Sequence, residues 1–187
     1  ELPDDRKKRY INEYNLSNYD ASVLTSDKSV SDFFDNVIMV DSSLKKSSKI
    51  VVNWITSELF SLLKENDLEI NKSPITPENL GKLVKLITDN VISGKIAKDV
   101  LLEMFDTKKE PEKIIEEKGL KQVTDISEIE NIVEEVINDN QKMVDQYLSG
   151  KDKLLGFFVG QAMKKSRGKA NPKILNEILK EKLSKKN

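Results

Sequence analysis

The placement of apolar residues constrains this chain most. They recur at three- and four-residue steps through most of its length, and no stretch sustains the alternation that a half-buried strand requires. Val30, Phe33, Phe34, Val37 and Ile38 make one stripe, and Ile50, Val51, Trp54, Ile55, Leu59, Leu62 and Leu63 make a longer one. Thr76, Pro77 and Glu78 read as a helix start, because a hydroxyl can cap the first amides and proline lacks an N–H that has no helical partner at that position. Leu80, Leu83, Val84 and Ile87 follow on one face. Ser93 can cap the next helix, carried by Ile96, Val100, Leu101, Met104 and Phe105, and a short helix after Pro111 stops at Gly119. The spacing predicts an all-α chain.

A second helical unit follows. Residues 120 to 126 lack helical periodicity and read as a linker, whereas Ser127 and Glu130 have the spacing of a capping box. Ile129, Ile132, Val133, Val136 and Ile137 then share a face. Met143, Val144, Tyr147 and Leu148 form a shorter stripe, which Gly150 ends. A third helix carries Leu154, Leu155, Phe158, Val159, Ala162 and Met163 up to Gly168, and Asn171 with Pro172 opens a last one buried through Ile174, Leu175, Ile178, Leu179 and Leu183. The expected organisation is therefore two small helical domains: residues 1–122, and residues 123–187 as a tail of three to four helices. Residues 1–25 read either as part of the first domain or as a linker from something larger, since the chain opens on Glu1 like the middle of a longer polypeptide.

Composition narrows the function classes. The chain has 187 residues, no cysteine and no histidine. This removes thiolate metal sites, disulfides and every mechanism that depends on an imidazole base. No apolar run approaches the roughly 18–20 residues of a membrane span and no secretory leader is visible, so the cytoplasm is the expected compartment. Charge is segregated although the total is only −1. Residues 1–109 are near balance, residues 110–150 carry 4 basic and 11 acidic side chains, and residues 151–187 carry 11 basic and 3 acidic ones. Such asymmetry speaks of partners rather than fold, and points to a polyanion at the C-terminal end.

Within that end, Lys164, Lys165, Arg167 and Lys169 surround Gly168 between two helices. Cations there can meet phosphates, and the amides of the following helix offer donors and the positive end of a dipole. The same lysines also complement the dipole of the helix they end; the glycine, which permits close backbone approach, favours the phosphate reading. Lys151 and Lys153 could extend the patch. Lys173, Lys180, Lys182, Lys185 and Lys186 could extend it or could form a solvated face. Gly156 and Gly160 read as a close-packing surface inside the tail. Glu134 with Glu135, and Glu116 with Glu117, are neighbours that do not face each other on a helix, so they read as solvated acids rather than chelates. Tyr10, Tyr14 and Tyr19, with Arg6, Lys7, Lys8 and Arg9, are open to two readings: stacking on nucleic acid or packing.

Several stretches together carry a family resemblance. Leu-Pro-Asp-Asp-Arg at the start, Tyr-Asp-Ala-Ser-Val-Leu-Thr at 19–25, Thr-Pro-Glu-Asn-Leu at 76–80 and Ile-Ser-Gly-Lys-Ile-Ala-Lys-Asp-Val at 92–100 come first. Ile-Ile-Glu-Glu-Lys-Gly-Leu-Lys-Gln at 114–122, Gly-Phe-Phe-Val-Gly-Gln-Ala-Met-Lys at 156–164 and Gly-Lys-Ala-Asn-Pro at 168–172 complete the set. In this order they resemble the C-terminal half of the GatB component of the tRNA-dependent amidotransferases, the GatB/YqeY family, over nearly the whole chain. Asn18, where the family often has an acid, and Phe33-Phe34-Asp35, in place of Tyr-Phe-Glu, are small departures.

The resemblance implies a helical domain followed by a tail like the stand-alone YqeY proteins. It implies a parent enzyme, a heterotrimer completed by amidotransferase subunits A and C, that converts Glu-tRNA(Gln) to Gln-tRNA(Gln) or Asp-tRNA(Asn) to Asn-tRNA(Asn). ATP and Mg2+ would act in a large N-terminal domain absent from this sequence, with ammonia from glutamine. The tail is implied to hold the tRNA elbow, which places Lys164, Lys165, Arg167, Gly168 and Lys169 at the contact, with Lys151 and Lys153 second and the Gly156–Gly160 helix as support. The fragment itself is expected to be non-catalytic, without cofactor, and to bind neither membrane nor DNA. A stand-alone YqeY-like adapter is the alternative.

Overall fold

In the computed structural model the described residues are 1–121 and 126–185, and they build helices and connecting turns with no strand among them. The expected all-α fold is what forms. Two compact units appear: Glu1–Asp89 with Ala97–Gly119, and Asn90–Ile96 with the described part of Leu120–Asn187. The boundary expected between residues 122 and 123 falls outside the described residues.

In the first unit, α1 (Pro3–Tyr14) and α2 (Asn18–Thr25) precede α3 (Lys28–Met39). Tyr10 is fully buried, donates its hydroxyl to the Ser31 carbonyl at 3.2 Å and meets Phe34 edge-to-face at 5.0 Å. The following helix is composite: α4 (Ser48–Asn53), a π-helical turn Trp54–Leu59, and α5 (Phe60–Glu65). Val51, Ile55, Leu59 and Leu63 are all buried at four-residue steps. In an α-helix each such step drifts about 40° round the axis, and the wider π turn offsets that drift and keeps the four on one side. α6 (Pro77–Thr88) starts where Thr76 accepts the Asn79 amide at 3.2 Å, and α7 (Gly94–Thr107), whose residues from Ala97 on belong to this unit, where Ser93 accepts that of Ile96, also at 3.2 Å. Gly81 lets α6 approach the end of α3: a Cβ there would lie 2.7 Å from Val40 Cγ2. α8 (Pro111–Lys118) ends at Gly119, whose φ of 58° is the left-handed cap a glycine adopts freely.

The second unit contains α9 (Ile126–Asp139), α10 (Gln141–Leu148), α11 (Leu154–Lys165) and α12 (Pro172–Ser184). Its core is Ile129, Val133, Val136, Ile137, Val144, Phe158, Ala162, Ala170, Leu175, Ile178, Leu179 and Leu183. α9 begins one residue before Ser127, so Ser127 sits in its first turn instead of capping it, and the residue preceding α9 is not among those described. No helix of the described residues is long and apolar enough to cross a membrane.

Candidate nucleic-acid interface

The turn between α11 and α12 is built by backbone bonds. Gly168 N–H donates to Met163 O at 2.8 Å and Arg167 N–H to Lys164 O at 3.1 Å, the paired bonds of a Schellman closure. Arg167 (φ 55°) and Gly168 (φ 76°) are both left-handed. Glycine adopts that region without penalty, whereas Arg167 is held in it by the closure. Ser166 Oγ donates to Met163 O at 3.0 Å and accepts the Ala170 amide at 3.1 Å.

Buried Asn171 then caps α12, its Oδ1 accepting from Lys173 N at 3.0 Å and Ile174 N at 3.2 Å, while Pro172 has no N–H to give. This corrects the expectation that the first amides of α12 are free for a phosphate. The chain's own cap consumes them, so only side chains are left there to meet an anion.

Lys164 and Arg167 are exposed and Lys169 half-buried; none of the three forms an ion pair among the described residues. Lys165 differs. Its Nζ lies 2.9 Å from Glu135 and 2.9 Å from Asp139 on α9, and the hydrogen bonds it donates to Asp139 and then Glu135 hold its ammonium form to higher pH than an ordinary lysine. Lys182 pairs with Glu134 at 2.5 Å and Lys185 with Glu181 at 2.5 Å, so part of the basic charge is neutralised inside the unit. Lys173 and Lys180 are exposed, and Lys186 is outside the described residues.

Lys151 and Lys153 follow Gly150 (φ 108°) at the other end of α11, so the twelve residues of that helix, about 18 Å, separate them from the Lys164–Lys169 turn. Gly156 and Gly160 lie between. The expectation that these glycines pack closely is overturned: both are exposed, and a Cβ on either would meet nothing within 4 Å among the described residues. Apolar contacts of α11 run through Phe158 and Ala162 on its other side, which leaves the glycine face to solvent.

Lys153, Gly156, Gly160 and Lys164 therefore fall at three- and four-residue steps along one exposed side of α11, cationic at both ends, with Arg167 in the turn just beyond the helix. Lys95, in the Asn90–Ile96 stretch of the same unit, joins Gly160, Met163, Lys164, Arg167 and Gly168 around a hollow of about 380 Å³. The sequence offered no signal for Lys95, which is far away along the chain.

The N-terminal aromatic and basic cluster turns inward. Arg9 lies over the Tyr10 ring at 5.0 Å and grips Asp35 through two bonds of 3.2 and 2.9 Å, and Arg6 reaches Asp32 at 2.8 Å. Tyr14 packs at 5.8 Å from Phe34, while Tyr19 is exposed. Glu134 and Glu135 hold different lysines instead of converging on one cation, and Glu117 holds Lys109 at 2.8 Å.

The GatB domain model matches residues 32–183. The chain belongs to the GatB domain family. The B-type subunit of the aspartyl/glutamyl-tRNA(Asn/Gln) amidotransferase of Rickettsia rickettsii (strain Sheila Smith) is 51% identical over 184 residues, covering 98% of this chain and 37% of the relative. The proteins of the same name from Alkalilimnicola ehrlichii and Caldanaerobacter subterraneus subsp. tengcongensis are each 50% identical, over 183 and 185 residues, which are 98% and 99% of this chain and 38% of their own length. This GatB-family chain thus spans under two fifths of the relatives it matches. All of the exposed α11 face lies inside the family match.

Proposed function

We propose that this chain is the RNA-holding C-terminal portion of an amidotransferase GatB subunit, acting in the cytoplasm, and that its second unit grips the elbow of the tRNA through the open face of α11. The observation that carries this reading is the strip Lys153–Gly156–Gly160–Lys164–Arg167, with Lys151 at its far end and Lys169 following Arg167, whose five cations form no ion pair among the described residues. A sugar–phosphate backbone needs cations at intervals and room to approach, and recognition through phosphates and 2′-hydroxyls suits RNA shape better than base edges. Exposed glycines on a helix cost stability, so their presence on this face fits a surface kept low for a ligand. In the parent enzyme, ATP, Mg2+ and the partner subunits A and C serve the part outside this chain; the conversion of Glu-tRNA(Gln) or Asp-tRNA(Asn) to the amidated form occurs there, and DNA is not a ligand.

Titrating the chain with tRNA at increasing salt tests this. Up to five cations without an ion pair among the described residues line the face, so log K should fall against log[salt] with a slope between about −2 and −4.5. Binding without salt dependence, or none at low salt, contradicts the reading.

A further inference from the structure

Lys165 is the only cation of the Lys164–Lys169 turn that another element of the described structure claims. Its Nζ sits between Glu135 Oε2 and Asp139 Oδ2, each at 2.9 Å, and these two acids stand one turn apart on α9 and so face the same way. Lys164, one residue earlier, points about 100° away round the helix and forms no ion pair among the described residues. Glu134 continues the acidic edge along α9 by holding Lys182.

We infer that Glu135 and Asp139 withhold Lys165 from the bound RNA and mark where the contact ends, making them specificity-determining residues of the proposed tRNA site. This rests on the RNA-binding reading above. A phosphate reaching Lys165 must displace two carboxylates and then lie beside both of them, so the gain of one cation is offset by two repulsions. A polyanion can follow the open face of α11 from Lys153 to Arg167 and cannot slide across onto α9. The acidic block at residues 110–150 thereby acquires a role next to the basic block: it neutralises part of it and bounds the remainder.

A cycle of variants in the full chain, with tRNA as the probe and affinity read against salt, tests this. Lys165→Ala alone is expected to leave the salt slope unchanged, with at most a small loss of affinity from the two carboxylates it frees. Glu135→Gln with Asp139→Asn should raise affinity about three- to tenfold and steepen the slope by about 0.9, the value of one added phosphate contact. Adding Lys165→Ala to that pair should restore the original slope. If Lys165→Ala by itself lowers affinity and flattens the slope, or if neutralising the two acids changes neither quantity, the inference is overturned while tRNA binding stands. Wild-type protein that fails to bind tRNA overturns the RNA-binding reading and this one with it. Thermal melts of each variant separate these outcomes from loss of fold.

Discussion

Gly160 is the single residue at which stability and binding pull in opposite directions. A methyl group there meets nothing within 4 Å among the described residues, and alanine favours a helix over glycine, so Gly160→Ala should stabilise the chain by about 0.5–1 kcal/mol in urea denaturation. A bulkier Gly160→Leu should keep the fold and weaken tRNA binding, because it fills the gap through which a backbone approaches. Lower stability in the first variant, or unchanged tRNA affinity in the second, contradicts the open-face account. Asp20 gives a pH test. Its burial raises the carboxyl pKa, but bonds from Lys49 at 2.6 Å and Ser17 at 2.7 Å outweigh that, so the folded value lies below the ordinary one. A depressed folded pKa stabilises above the unfolded value of about 3.9, and that contribution is lost as pH falls through the folded value. Denaturation followed from pH 6 downward should show Asp20→Asn losing less stability than wild type below about pH 4; parallel curves would contradict the assignment.

At the scale of elements, close packing at Gly81 and open space at Gly160 make the same residue type behave oppositely. Gly81→Ala gains helix propensity, yet its Cβ would lie 2.7 and 2.9 Å from Val40 carbons and 3.1 Å from the Val37 carbonyl. Overlap that includes backbone should prevail, with a net loss of about 1–2 kcal/mol, read as a lower urea midpoint; a midpoint at or above wild type would contradict the close crossing. The contrast also shows what sequence can reveal. The helix starts at Thr76, Ser93 and Asn171 were legible because capping is local, and the stop at Gly119 because a left-handed residue follows a helix end. The π turn at Trp54–Leu59 was not, since the four-residue spacing that favours it also reads as an ordinary apolar stripe. Nor was the fate of Gly156 and Gly160, because their spacing is the same whether another helix covers them or none does.

For the molecule as a whole, the division of charge along the chain becomes a division of surface within its second unit. The cations of the candidate site were legible as residue types, but which of them are free was not: Lys165 is neutralised from α9, thirty and twenty-six residues earlier, and Lys182 from forty-eight residues earlier. The central claim is that the free cations of the α11 face hold tRNA. The measurement that tests it most directly is tRNA affinity, at one fixed low salt concentration, for the full chain carrying Lys164→Glu, Arg167→Glu and Lys169→Glu, with helicity and melting checked alongside. The account predicts an intact helical fold and an affinity at least a hundredfold weaker, about 2.7 kcal/mol or more. An unchanged affinity in a folded triple variant would contradict it.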